Sequence, residues 1–260
     1  MTFDTYHWKD YEFNDPELEA ARSAVESGDD LDAFLKLLHS SEIAAVGTAL
    51  DHYAYRESTK RFSGHNPFHS QAHAVLQQAR ALLAKPPMMR SETGARRDGA
   101  EHASALMVLL NLAEPTDSGL IANAMRHARN INVIEAAAMA AGTAMSRTSV
   151  PDSDLVDALC ATIFDNTRAT AERAEALKAF DDVTGPEAAK IAVAAIRSND
   201  SNLLAHGALI LATHHFATHR DLIEETIANW PDDASYPAEF VQDALEAAEN
   251  AETEGEGGNE

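Results

Sequence analysis

Residues 191–209 read IAVAAIRSNDSNLLAHGAL. Ile191 to Ile196 is an apolar, Ala-rich run with helical spacing. Asn199-Asp200 interrupts it with turn chemistry. Ala205-His206-Gly207-Ala208-Leu209 then resumes as a second helix, whose small residues permit close approach to its neighbours. The stretch therefore reads as helix, tight turn, helix. Its closing phrase recurs along the chain as Thr48-Ala49-Leu50, Ser104-Ala105-Leu106, Ala137-Ala138-Met139, Glu175-Ala176-Leu177 and Gly207-Ala208-Leu209. The central alanines lie 56, 33, 38 and 32 residues apart. A recurrence in that range predicts helix pairs that stack and share one continuous core, because a single pair cannot cover its own apolar face.

Outward from this stretch, Asp15-Pro16-Glu17 starts a first helix that runs to about Ser27-Gly28. Leu31, Phe34, Leu35, Leu37 and Leu38 form an amphipathic face behind Asp29-Asp30. Ser41 is placed to cap a third helix, Glu42 to Tyr55. Residues 56–65 are polar, lack a helical period and read as a loop. Asn66-Pro67 opens a helix with Val75, Leu76, Ala79, Leu82 and Leu83 on one side, and Pro86-Pro87 stops it. Residues 88–99 read as a second loop. Beyond them the helices are regular: 100–113, 117–129, 132–146, 152–165, 170–182, 186–197, 201–216, 220–230 and 237–249. No window alternates as a strand does. Residues 250–260 are rich in Glu, Gly and Asn and poor in apolar residues, and read as a disordered acidic tail. The expected organisation is a capping segment over 1–28, a helical stack over 29–249 and the tail over 250–260.

The chain has 42 acids against 20 bases, a formal charge of -22. Such a field repels nucleic acid and anionic membrane and favours a partner with a basic surface. Cys160 is the single cysteine and sits in an apolar helical run, so it reads as a buried small hydrophobe. Met1-Thr2-Phe3-Asp4 has neither a basic nor an apolar leader region, and no apolar stretch approaches the ~20 residues that span a bilayer. The expectation is a cytoplasmic protein, monomeric when free.

Two segments carry a more specific pattern. Leu155-Val156-Asp157-Ala158-Leu159, then Asp165-Asn166, then Arg173-Ala174-Glu175-Ala176-Leu177 forms one unit. Ile191-Ala192-Val193-Ala194-Ala195-Ile196, Asn199-Asp200 and Ala205-His206-Gly207-Ala208-Leu209 form the next. These units resemble HEAT repeats, as found in uncharacterised actinobacterial proteins of that type. The resemblance covers about residues 30–249. It implies an all-α fold, a right-handed α-α superhelix (a HEAT-like solenoid) of about six helix pairs. It also implies a binding role; some bacterial relatives of this kind act as immunity proteins that mask a partner.

Three residues before the recurring alanine stand His102, Glu135 and Arg173. Equal positions in successive repeats become neighbours in a stack, so these three are expected to form a charge-assisted inter-repeat ladder. Of the twelve histidines, His65, His69 and His73 are spaced four apart, as are His215 and His219. A His pair binds zinc only where further ligands converge. No HExxH, GxGxxG, Walker A or GxSxG motif occurs, so neither enzyme, metal nor cofactor is expected.

One departure stands out. Residues 56–97 hold eight bases and two acids, whereas residues 221–260 hold thirteen acids and no base. Either the basic island balances acidic neighbours in the fold, or its loops form a recognition site. The candidate partner-binding residues are Asp51, His52, Tyr55, Arg56, Lys60, Arg61, Arg96 and Arg97. The expected function is a non-enzymatic protein-binding module, of inhibitor or immunity type. The alternatives are an enzyme or enzyme accessory with a His/Arg site near residues 52–102, and an acidic mimic of nucleic acid.

Overall fold

The computed structural model describes residues 7–198, 200–230 and 238–256. Among the described residues there are fourteen α-helices and no β-strand. They are α1 (Pro16–Ser27), α2 (Leu31–Leu38), α3 (Ile43–Ser63), α4 (Ala72–Leu83), α5 (Arg90–Thr93), α6 (Ala100–Leu112), α7 (Ser118–His127), α8 (Ile131–Ser146), α9 (Ser153–Ile163), α10 (Thr170–Leu177), α11 (Pro186–Ile196), α12 (Ser201–His214), α13 (Phe216–Ala228) and α14 (Ala238–Glu256). Side-chain caps set several starts. Asp15 accepts from Glu17 N, Asp30 from Ala33 N, Asp152 from Asp154 N and Leu155 N, and Asp200 from Asn202 N and Leu203 N. Each satisfies backbone donors that a helix start leaves without an internal partner.

The recurring Ala phrase marks one row of helices. Ala49, Ala105, Ala138, Ala176 and Ala208 lie in α3, α6, α8, α10 and α12, and all are buried. These helices pack on one another in that order, and α14 continues the row against α12. A second set backs the row: α4 packs on α6, α7 on α8, α9 on α7 and α10, and α11 on α12. Small residues make the close approach possible. At Gly207 an added Cβ would lie 2.6 Å from the Ala192 carbonyl oxygen, so α12 meets α11 backbone to side-chain position.

Three expectations are corrected. The stretch 56–63 is helical, because α3 continues to Ser63 and ends at Gly64, whose φ of 83° is the left-handed conformation glycine adopts freely. Its surface turns are polar, and they hold through an i,i+3 Lys60–Glu57 pair and the Thr59 hydroxyl bonded to the Tyr55 carbonyl. Polarity here reflects solvation of a helix, not its end. Second, the cap of α3 is not Ser41; the Ser40 hydroxyl accepts from Glu42 N. Third, α14 is helical to Glu256, beyond the start expected for a disordered tail. Val241, Ala244 and Leu245 anchor it on the core, and Ala and Glu propagate the helix. Residues 257–260 lie outside the described residues.

A feature the periodicity does not announce organises the N-terminal half. Residues 7–13 form a strap over α3 and α6. Trp8 is 1% exposed, and its indole N–H donates to Ser104 Oγ at 3.0 Å. It lies against the bare backbone of Gly47, where an added Cβ would sit 2.2 Å from the indole nitrogen. Arg22 donates to the carbonyls of Tyr11 and Trp8, the Tyr11 hydroxyl donates to Glu42 at 2.6 Å, and His7 N donates to Asp51 at 3.1 Å. Under this cover, residues 44–54 of α3 and 100–109 of α6 are buried on every side.

Gly47→Ala forces the indole out of its seat. The expected loss is about 1–3 kcal/mol of unfolding free energy, measured by urea denaturation. In a Trp230→Phe background, Trp8 emission should shift to the red.

Candidate functional site

The basic island resolves into separate environments once its residues are placed on these elements. Helix α3 carries the first group. Asp51 and His52 are 2% and 4% exposed, so they are interior groups and not docking surface. Asp51 accepts the His7 N–H of the strap. One turn on, Tyr55 is 40% exposed, and Arg56 pairs with Asp29 at 3.0 Å. His52, Tyr55 and Arg56 line a cleft of about 380 Å3 together with Lys9 of the strap and Val25 and Glu26 of α1. The structure thus brings three of the expected residues together around a real concavity, with walls from the strap and α1 that the sequence pattern did not indicate.

The others lie elsewhere. Lys60 pairs with Glu57 at 3.2 Å, and Glu57 also accepts from Asn66 at 2.9 Å. Arg61 belongs to α3, and its side chain lies outside the described residues. Arg96 pairs with Asp10 of the strap. Arg97 is exposed in the loop after α5. Arg80, another member of the island, is held by Asp117 at 2.7 Å and Glu114 at 2.7 Å, with Asp117 buried. Much of the island is therefore internal charge balance.

The ladder of His102, Glu135 and Arg173 does not form: no hydrogen bond or ion pair joins the three. His102 Nε2–H donates to the Lys85 carbonyl at 3.0 Å, across to the end of α4. Arg173 donates to the Ile163 carbonyl at 2.8 Å and to Asp200 at 2.9 Å. Glu135 is half-buried, and its carboxyl is pushed up by burial and then by the Glu175 charge, with Lys178 opposing. Equal repeat positions are not equivalent here: Arg173 reaches forward to the cap of α12, whereas His102 turns back to the end of α4. Asp200 is the residue this reasoning missed. One carboxylate oxygen caps α12, and the other takes Arg173 and the Thr170 hydroxyl.

Titration follows burial. His52 is held down to about 4, by burial first and by the Arg56 charge second. His206 is also held down to about 4, by burial and then by Lys178. Asp181 is pushed up to about 7, chiefly by burial; Lys178 opposes, while Asp182 and Glu175 reinforce. The Cys160 thiol is pushed up to about 11 by burial, Asp157 and Glu187, which suits an inert thiol. Among the described residues, no three His, Cys, Asp or Glu side chains converge to hold a metal ion, and no helix is long and apolar enough to cross a membrane. No protein-family model matches the chain, and no curated protein matches its sequence.

Two outcomes follow. Asp200→Ala leaves a buried guanidinium uncompensated and removes a helix cap; the expected cost is about 3–5 kcal/mol, read from urea unfolding, with Thr170→Val costing much less. Acid also destabilises through the histidines. Below their ordinary value of 6.5, unfolded His52 and His206 take up protons that the folded chain refuses until about 4. Stability therefore falls as pH drops through that window. Asp181 acts oppositely, since the folded chain binds its proton from about 7 downward. His206→Gln should flatten the fall in thermal midpoint between about pH 6.5 and about pH 4, and Asp181→Asn should steepen it.

Proposed function

We propose that this chain is a HEAT-like helical-repeat module, a right-handed stack of helix pairs, that binds another protein and does no chemistry of its own. The observation that carries this reading is the outer half of α3. Tyr55 and Phe62, 40% and 77% exposed, stand about two turns apart along the same helix, and Tyr55 lines the 380 Å3 cleft. Aromatic residues on a rigid helix next to a concavity are the side-chain types that dominate binding energy at interfaces. They cost little conformational entropy when fixed.

The charges around them suit a basic partner. Arg56 and Lys60 are already neutralised by Asp29 and Glu57, so they do not oppose an approaching cation. The net charge of -22 speeds encounter with a basic surface at low salt. Masking of a partner's working surface, as an immunity or inhibitor protein does, is the concrete form of this role. In the same reading the chain is cytoplasmic and monomeric until it meets that partner.

Pull-down from extract of the source cell, with quantitative mass spectrometry, tests it against the double variant Tyr55→Ala/Phe62→Ser. A protein enriched by wild type at low salt should fall about tenfold or more with the variant. Identical captured sets from both proteins would sink the reading.

A further inference from the structure

The structure divides the basic island into two kinds of residue. Arg56, Lys60, Arg80 and Arg96 are each engaged by a carboxylate: Asp29, Glu57, Asp117 with Glu114, and Asp10. Lys85, Arg90 and Arg97 form no ion pair among the described residues, and all three are exposed. Arg129, from the turn between α7 and α8, joins them. It is exposed, and it too forms no ion pair; its guanidinium donates to Met89 Sδ at 3.0 Å. Arg129 and Met89 share one small hollow with Met88, Asp98 and His102. Arg90 follows Met89, Arg97 precedes Asp98, and the Lys85 carbonyl accepts from His102. Four cations without an ion pair among the described residues therefore belong to the segments that meet at this hollow, where Asp98 is the acid, on a chain whose net charge is -22.

The acids of this loop keep their charge but bond backbone amides and not the four cations. Glu92 accepts from Met89 N at 2.7 Å, Asp98 from Arg90 N at 2.8 Å, and buried Glu101 from Met88 N at 2.6 Å. Asn130 donates to the Asp98 carbonyl at 2.7 Å, and Gly99 N donates to the Met88 carbonyl at 2.8 Å. Loop 88–99 is tied at both ends to α6 and to the start of α8, so its cations are presented on a fixed frame.

We propose that this patch, formed by Lys85, Arg90, Arg97 and Arg129, docks an acidic segment of a partner protein. The hollow at its centre has a volume of about 10 Å3, room for about one water and for no side chain. The patch therefore reads charge on a surface and does not swallow a small anion. Arginine forks pair bidentately with carboxylates, and Met89, 37% exposed, offers an apolar shelf between them. The field of the whole chain disfavours a long polyanion such as nucleic acid, whereas a short acidic segment feels mainly the local cations, since exposed charges more than about 10 Å away are screened. This surface is separate from the α3 face and stands or falls independently of it.

The test is fluorescence anisotropy of a labelled Glu/Leu peptide at low and moderate salt. Wild type should bind, with affinity falling as salt rises. Arg90→Glu/Arg97→Glu should weaken binding at least about tenfold. Lys190→Glu/Arg197→Glu makes the same change in net charge at exposed positions at the far end of the row, and should leave binding within about twofold of wild type. Thermal unfolding confirms that both variants fold. Equal losses in the two variants would assign the effect to net charge and overturn the proposal. So would undetectable binding at low salt, equal binding of the Gln/Leu analogue, or an oligonucleotide of matched charge binding as tightly as the peptide.

Discussion

Close approach of helices along one row is the constraint on which the rest of the molecule rests. The five phrase alanines are buried where α3, α6, α8, α10 and α12 meet their neighbours. A larger side chain at such a position pushes the next helix away, and the shift passes along the row. Between the row and the set behind it Gly207 shows how little room there is, since even a methyl group would overlap the α11 backbone. The core is accordingly made of many small contacts from Ala, Leu, Ile and Val, with few aromatic rings.

The strap is where the row departs from simple repetition. Elsewhere the row helices leave part of a face accessible: Glu135, Met139, Glu175 and Leu209 are all partly exposed. On α3 and α6 that freedom is gone, because Trp8 and its neighbours lie across them. The same segment then reaches outward: Lys9 walls the cleft beside His52, and Asp10 neutralises Arg96. One short segment thus covers Asp51, walls the cleft beside His52 and neutralises Arg96. Loop 88–99 completes the arrangement from the other side, its acids turned to backbone amides and its Arg90 and Arg97 left to solvent.

Much of the fold was legible in the chain itself. The 3.6-residue period, the acids at Asp15 and Asp30, the turn at Asn199-Asp200 and the breaker at Pro86-Pro87 place helices close to where they stand. These are local signals, set by backbone donors and side chains a few residues apart. The errors came where a local rule met a non-local one. The outer turns of α3 look like a loop because nothing buries them, and the last turns of α14, 250–256, look like a tail because they are rich in Glu and poor in apolar residues. Of the site, the stretch Asp51 to Arg56 was marked in advance, but not which of its members face solvent.

Sequence alone determined that this is a helical chain with a recurring Ala-Leu seam, an acidic surface and one basic island, because composition and periodicity carry that information residue by residue. Tertiary structure decided the partners. It gave Arg173 to Asp200, His102 to the Lys85 carbonyl and Arg80 to Asp117, and left Arg90, Arg97 and Arg129 without a counter-charge. Pairing of charges depends on distances between residues tens of positions apart, and in this chain those distances exist only once the helices have closed on their alanines.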